Sequence, residues 1–464
     1  FDGLVEFDQN INVRPAIARI WKISRDHQTY TFQLRKGVKF HNGREVTAQD
    51  FVDSFQRILD PKLESPVASL FMKIQGAKAF AEGQSDQVAG LAAQGDHTLV
   101  IRLEEPFAPF LSILAMANAK VVPREALGAD FGRAPVGTGP FKFQEWKEGQ
   151  QIVLSAHGDY FGEAPKLKAV QFKIYQNVDW DAIYGDFQKG LLDQSLVAGG
   201  HESDFNQGGG PTLISKPGLN VVYLGMNTSL PAFQDRRVRQ AIYYAVDREK
   251  IVRENTRWRS VPAKGVLPPG IAGFDPYFKG YAYDPDKARQ LLAAAGFPEG
   301  RGIPAIELWT VSKEERVQSQ LEAYRQYLGE VGIEVTLKVA DNWKEFVQKI
   351  NDKQAAMFYA AWYADFPDPD NFLYTLCHSA SPTNRMNYQN SEVDRLLEQA
   401  RSETDYEKRV QLYRHIETLV IEDAPLVAQH YNSNNYVFQP WVKGIEMSHL
   451  GATYLPLRKI EIDK

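Results

Sequence analysis

One segment restricts the fold more than any other, because its hydrophobic side chains change twice between strand spacing and helix spacing. An apolar run at residues 306–311 precedes a helical pattern through Leu321 and Leu328, and an alternating run follows at residues 333–339. Two such strands joined by a helix predict a βαβ unit with a parallel strand pair. We therefore expect an α/β fold.

Local signals predict further elements on both sides of this unit. Asp284 is a helix N-cap, Pro285 occupies the first helical position, and Gly296 marks the stop. Thr47 and Asp50 likewise predict a capped helix start. Strands are predicted at residues 29–34, 98–103, 152–155 and 170–175, helices at 392–401 and 405–422, and a strand near 426–430.

The length of the chain requires more than one folded unit, since 464 residues exceed the ~250–300 at which single hydrophobic cores stop growing. Short alternating runs dominate the first part, and longer helices set between strands dominate the second. The breakers Gly208-Gly209-Gly210-Pro211 and Pro217-Gly218 lie near this change. We place a domain boundary at about residue 217.

Composition excludes several classes of function. The net charge is −5 and no run of Lys or Arg forms a basic stripe, so nucleic acid is not an expected partner. The longest apolar stretch, residues 106–122, is interrupted by polar residues and falls short of the ~20 apolar residues that span a bilayer. Cys377 is the single cysteine, which excludes an intramolecular disulfide and leaves the compartment open.

Sequence motifs for catalysis or metal binding are missing. The chain has no HExxH, P-loop or GxSxG string, and its nine histidines form no i,i+4 pair. A lone histidine such as His41 or His430 is more often a surface or core residue than a ligand. We therefore expect neither a metal site nor a cofactor.

Residues 362–372 (WYADFPDPDNF) form the one dense acidic and aromatic cluster, directly after an apolar run. It has three interpretations. A solvated Pro-rich turn would use its Asp residues only as caps. A calcium loop fits poorly, because the cluster has no Gly for the sharp turn and no suitably placed Glu. Recognition of a cation would use a partly buried Asp to bind a ligand ammonium beneath aromatic rings.

Several strings in the chain together resemble the family-5 extracellular solute-binding proteins, the dipeptide- and oligopeptide-binding proteins of bacterial ABC importers. The resemblance runs from end to end with order and spacing kept. The strings are YTFQLRKGVKFHNG at 30–43, PVGTGPF at 135–141, Asn227, DRRVRQAI at 235–242, YDP at 283–285 and PDPDNF at 367–372.

This resemblance implies a bilobed periplasmic-binding-protein fold of type II, with an extra small domain and two lobes joined by a hinge. Residues 1–217 would form lobe I with the inserted small domain, 218–435 lobe II, and 436–464 a segment that returns to lobe I. By the family's layout about 35 residues precede Phe1. The ligand would be captured between the lobes.

The resemblance also implies a set of ligand-binding residues. Asp365 matches the acidic residue that pairs with the peptide α-ammonium. Ala361, Trp362 and Tyr363 match the strand that hydrogen-bonds the peptide main chain, and Asn227 completes the expected set.

One departure from the family pattern concerns the arginine that clamps the ligand carboxylate in dipeptide binders. The connection after Leu308-Trp309 is shorter here and no residue aligns with that arginine. Lys313 or Arg316 is a candidate replacement, and an exposed charge at a helix start is the alternative. The length of the ligand stays open.

The expected function is thus capture of short peptides for import, without enzymatic activity. Expected partners are the peptide and the permease subunits of an ABC transporter, with a monomeric protein that is periplasmic, or extracellular and membrane-anchored, in the cell envelope. Three alternatives are a non-peptide solute such as a nickel chelate, haem or sugar, a hydrolase that pairs Asp365 with Asp368, and a subunit that has lost its ligand.

Overall fold

The computed structural model describes residues 1–128, 130–176, 179–197, 201, 205, 210–256, 260–352 and 354–464. The chain forms two compact units. Unit 1 consists of Phe1–Ile214 and Asn435–Lys464, and unit 2 of Ser215–Asn434. The breakers Gly208 and Gly209 lie outside the described residues.

The strands, numbered along the chain, are β1 (Val5–Phe7), β2 (Val13–Pro15), β3 (Ala18–Ile23), β4 (Thr29–Leu34), β5 (Leu91–Ala93), β6 (Thr98–Arg102), β7 (Phe141–Lys147), β8 (Gln151–Ala156), β9 (Ala169–Lys173), β10 (Gln194–Leu196), β11 (Thr212–Pro217), β12 (Asn220–Met226), β13 (Ser260–Pro262), β14 (Ile306–Thr310), β15 (Val335–Val339), β16 (Met357–Tyr363), β17 (Leu426–Phe438), β18 (Val442–Lys443) and β19 (Glu461–Ile462).

The helices are α1 (Ala48–Leu59), α2 (Ala77–Ala81), α3 (Phe110–Ala115), α4 (Trp180–Gln188), α5 (Pro231–Gln234), α6 (Arg236–Ala245), α7 (Arg248–Thr256), α8 (Pro285–Ala294), α9 (Glu315–Glu330), α10 (Trp343–Asn351), α11 (Asp370–Cys377), α12 (Ser391–Ser402) and α13 (Tyr406–Asp423).

Unit 1 contains a four-stranded sheet in the order β3-β4-β6-β5 and a three-stranded sheet in the order β7-β8-β9. These sheets include the strands predicted at 29–34, 98–103, 152–155 and 170–175. Helix α1 begins as predicted, with the backbone N–H of Thr47 donating to Oδ2 of Asp50 at 2.8 Å. Its apolar face, including Phe51, Phe55 and Leu59, is buried.

Unit 2 is organised by a mixed sheet in which β17, β12, β16, β14 and β15 are successive neighbours. Strands β14 and β15 pair in parallel and α9 connects them, which confirms the predicted βαβ unit. Strand β12 is buried at every position and forms the middle of the core. A Cβ on Gly225 would lie 2.3 Å from the ring of Phe358 on β16, so glycine at this position leaves the room that this ring occupies.

The other helix predictions for unit 2 are confirmed. Asp284 caps α8 by accepting from the N–H of Lys287, and Gly296 follows the helix with a φ of +92°. Helices α12 and α13 cover the predicted segments. Strand β17 is longer than the predicted 426–430, because its pairing continues through a polar stretch at 432–435 that has no hydrophobic alternation.

Candidate functional site

Strand β16 carries the residues expected to bind the ligand main chain, and it has two neighbours only over its first part. Strand β12 pairs with it antiparallel from Met357 to Tyr363. On the other side, β14 pairs with it in parallel at Met357 and Phe358 only. Within the described residues, the second half of β16 therefore has one paired edge and one open edge.

The direction of the backbone groups shows which residues line this open edge. Ala356 accepts from the backbone N–H of Asn227 at 3.0 Å, and Ala364 donates to the carbonyl of Leu219 at 2.9 Å. Both of these even-numbered residues thus point towards the β12 side. Because backbone groups alternate along a strand, Ala361 and Tyr363 direct their N–H and C=O groups to the open edge.

The side chains next to the open edge are accessible. Ala361 is exposed, Tyr363 is 60% exposed and Trp362 is half-buried. Tyr363 is held by a hydrogen bond from Asn432 Nδ2 to its hydroxyl at 3.1 Å. The edge can therefore pair with an extended chain beside an aromatic ring.

Asp365 lies two residues beyond the end of β16 and is exposed. Its backbone N–H donates to Oδ1 of Asn371 at 2.8 Å, and its Oδ2 accepts from Nδ2 of Asn371 at 3.4 Å. The indole N–H of Trp362 donates to the same Oδ1 at 3.3 Å. A carboxylate placed in this way can bind a cation at the end of the open edge.

The remainder of the acidic cluster is buried and ion-paired, unlike the solvated turn considered from the sequence. Asp368 receives two hydrogen bonds from Arg409, at 2.6 and 2.9 Å. Asp370 receives two from Arg401, at 2.9 and 3.2 Å. Burial raises the pKa of the Asp370 carboxyl, and the charge of Arg401 opposes this shift. Because each carboxylate is paired with an arginine, these two Asp side chains stabilise the turn and are not available to a ligand.

Asn227 is not brought together with the other expected residues. Its backbone bonds to Ala356, at the far end of β16 from Asp365. Its Oδ1 accepts from Ser229 and from Asn387 Nδ2. Four of the five expected residues, Ala361, Trp362, Tyr363 and Asp365, thus lie within the five-residue segment 361–365.

The two cations that the sequence left open differ in their surroundings. Lys313 is 67% exposed and lies 3.7 Å from Asp341. Arg316, in the first turn of α9, is 32% exposed, and its Nη2 lies 3.6 Å from Oε2 of Glu314. Its Nη1 is buried and has no hydrogen-bond partner among the described residues. Arg316 therefore keeps an unused donor, whereas Lys313 is a surface charge.

Arg316 lies near two buried side chains that share a face of the sheet. Burial and then the charge of Arg316 lower the pKa of His430 to about 3, so the ring is neutral at pH 7. His430 on β17 and Ala361 on β16 both pair with Val222 on β12, so their side chains lie on one face of the sheet. Tyr359 precedes Ala361 by two residues and therefore lies on the same face. No local sequence signal predicts this grouping, because it depends on strand register.

The same group contains a second unpaired donor. The hydroxyl of Tyr359 donates to Oε1 of Gln320 at 3.0 Å, and Nε2 of Gln320 is buried without a partner among the described residues. Within those residues, no group of three His, Cys, Asp or Glu side chains is placed to hold a metal ion.

Comparisons with known proteins agree with this architecture. Residues 12–384 match the family model for bacterial extracellular solute-binding proteins, family 5 middle. The chain is 30% identical to the dipeptide-binding protein of Escherichia coli (strain K12), over 99% of this chain and 89% of that protein. It is also 30% identical to heme-binding protein A of Haemophilus influenzae, over 97% of this chain and 85% of that protein.

A solved structure shows the same fold. The periplasmic binding protein DppA from Helicobacter pylori, in complex with the peptide STSA, superposes with a TM-score of 0.76 at 26% identity. The match covers 100% of this chain and 92% of that one. The fold is therefore the α/β periplasmic-binding-protein fold of type II, as predicted.

The chain belongs to the bacterial extracellular solute-binding proteins of family 5, which serve ABC importers. It is a substrate-binding protein rather than an enzyme, and this excludes the hydrolase alternative. Members of the family are extracellular or periplasmic. Among the described helices, none is both long and apolar enough to cross a bilayer.

Proposed function

We propose that this protein binds a short peptide whose main chain lies along the open edge of β16 and whose α-ammonium pairs with Asp365. The observation that carries this proposal is the pair of backbone positions at Ala361 and Tyr363 that face the open edge, followed two residues later by the Asp365 carboxylate. Main-chain hydrogen bonds to such an edge give affinity without regard to the ligand side chains. The protein would therefore accept peptides with many different side chains.

The ligand carboxylate pairs with Arg316 in this proposal. Arg316 has an unused Nη1 and lies near Tyr359, six residues before Asp365. A strand rises ~3.3 Å per residue, so this interval spans at most about 20 Å. An ammonium at Asp365 and a carboxylate near Arg316 thus suit a peptide of up to about six residues.

We further propose that the two compact units act as the two lobes of a monomer. The loaded protein would deliver its ligand to the permease subunits of an ABC transporter. Its site of action would be the cell envelope, as a periplasmic protein or as a membrane-anchored extracellular one.

A non-peptide solute is the second candidate, because heme-binding protein A is as similar in identity to this chain as the dipeptide-binding protein is. An exposed Tyr363 and a half-buried Trp362 would also suit a flat apolar ligand. Such a ligand has no α-ammonium and would not need Asp365.

Native mass spectrometry of gently purified protein separates the two candidates. The peptide proposal expects a series of co-purified peptide masses that is lost in Asp365→Ala. Asp286→Ala, which removes an exposed carboxylate on α8, serves as the matched control and should keep the series. A single discrete mass that persists in Asp365→Ala would favour the non-peptide solute.

A further inference from the structure

Asn371 connects Asp365 to the rest of unit 2 by hydrogen bonds. It lies in the first turn of α11 and is 3% exposed. Its amide oxygen accepts from the Asp365 backbone and from the Trp362 indole, and its amide nitrogen donates to the Asp365 carboxylate. Among the described residues, Asn371 supplies the side-chain hydrogen bonds that hold Asp365.

Buried ion pairs fix Asn371 itself. Its backbone N–H donates to the carbonyl of Asp368 at 3.0 Å, and the preceding Asp370 N–H donates to Asp368 Oδ1 at 2.9 Å. Arg409 and Arg401 bind the Asp368 and Asp370 carboxylates from α13 and α12. The position of Asn371 is therefore set by two helices that follow it in the chain.

The chemistry of an amide suits this place. An Arg or Lys at this position would pair with Asp365 and compete with a ligand cation. An Asn donates one neutral hydrogen bond to one carboxylate oxygen and adds no opposing charge, and the other oxygen of Asp365 has no partner among the described residues. Holding an exposed carboxylate in one orientation before binding removes part of the ordering cost of binding.

We propose that Asn371 is a positioning residue that presents the Asp365 carboxylate to the ligand ammonium and thereby sets the preference for ligands with a free amino group. This inference rests on the proposed peptide function. It adds to that function that the preference for a free amino group depends on Asn371, a residue that need not contact the ligand.

The test compares Asn371→Leu, which keeps the side-chain size but removes all three hydrogen bonds, with wild type. The probe is a mixture of tripeptides with free amino groups competing with its N-acetylated counterpart, and native mass spectrometry reads the bound ratio. We expect the wild-type preference for free amino groups to fall about tenfold in Asn371→Leu, as the loss of roughly one charged hydrogen bond implies.

Two further variants separate positioning from general damage. Asn384→Leu removes another asparagine of unit 2, which donates to the carbonyls of His378 and Tyr388, and should lower stability without changing the ratio. In an Asp365→Asn background, Asn371→Leu should have no further effect on the ratio, because the two residues act as one unit.

The outcomes distinguish the two proposals. An unchanged ratio in Asn371→Leu, or an equal effect with Asp365→Asn present, overturns the positioning role while leaving the peptide function intact. Failure of wild type to bind either peptide mixture overturns the peptide function and the positioning role with it. Loss of slow hydrogen exchange at the Asp365 amide is expected in Asn371→Leu without any ligand, because the variant removes the acceptor of the 2.8 Å bond from this N–H.

Discussion

We expect Glu417 on α13 to make the stability of unit 2 dependent on pH. The side chain is 3% exposed, and its Oε1 accepts from the backbone N–H of Leu267 at 2.8 Å. Burial raises its pKa from 4.5 to about 7, the backbone bonds from Leu267 and Val266 oppose the shift, Asp275 adds to it, and Arg414 opposes it. The carboxyl thus changes charge close to neutral pH.

The sign of the effect follows from the raised pKa. Between pH 4.5 and about 7 the folded protein keeps a proton that the unfolded chain releases, so the free energy of unfolding falls as pH rises through this window. At 1.36 kcal/mol per pKa unit, the loss amounts to about 3 kcal/mol. Below pH 4.5 the carboxyl is neutral in both states, and above about 7 it is charged in both.

Glu417→Gln removes this dependence while keeping the shape of the side chain and an acceptor for Leu267. We expect the variant and wild type to be similar at pH 4.5, and the variant to be the more stable by about 3 kcal/mol at pH 8. Glu407→Gln, on an exposed position of the same helix, is the control and should follow wild type at every pH.

Hydrogen exchange of the backbone amides in residues 406–423 reports on the stability of unit 2 alone. Comparison of proteins at one pH cancels the intrinsic pH dependence of exchange. At pH 8, about 3 kcal/mol corresponds to roughly a hundredfold slower exchange in Glu417→Gln. Parallel pH profiles for wild type and Glu417→Gln would refute the assignment of the titration to this carboxyl.

Three other predictions concern the site and its support. Ala361→Pro removes an N–H that points to the open edge, so the fold should survive while peptide affinity, measured by calorimetry, falls at least tenfold. Ala360→Pro removes an N–H that bonds to β12 and should unfold unit 2. The reverse result would contradict the backbone directions described above. Arg409→Met leaves Asp368 buried without its partner and should cost about 3–5 kcal/mol in denaturant melts; a loss below 1 kcal/mol would count against the buried pair. Arg316→Gln should abolish the preference for peptides with a free carboxylate over their amides, and an unchanged preference would assign the carboxylate to another residue.

The elements that could be predicted from the sequence have local signals. Helix α8 has its N-cap at Asp284, its Pro at the first position and its stop at Gly296, all within thirteen consecutive residues. The β14-α9-β15 unit has contiguous hydrophobic patterns. In both cases the residues that cause the helix or strand to form lie within that same segment of the chain.

The features that could not be predicted are non-local. The ion pairs of Asp368 and Asp370 join residues 41 and 31 positions apart, so the acidic cluster alone could not exclude a solvated turn. The open edge of β16 depends on where β14 stops pairing, which no residue within β16 encodes. The ammonium role of Asp365 stays a prediction, and so does the binding role of Asn227, which the structure places elsewhere.

The open edge of β16 also bears on how this protein avoids self-association. An unpaired strand edge is a template for any extended chain, including a strand from another copy that has not finished folding. Among the described residues, this edge offers the backbone groups of Ala361 and Tyr363, and the Asp365 carboxylate follows two residues after Tyr363. Very short edges are one way in which proteins limit edge-to-edge aggregation. A small ligand can still use this edge, because in the proposed mode of binding Asp365 adds an ion pair to the main-chain hydrogen bonds.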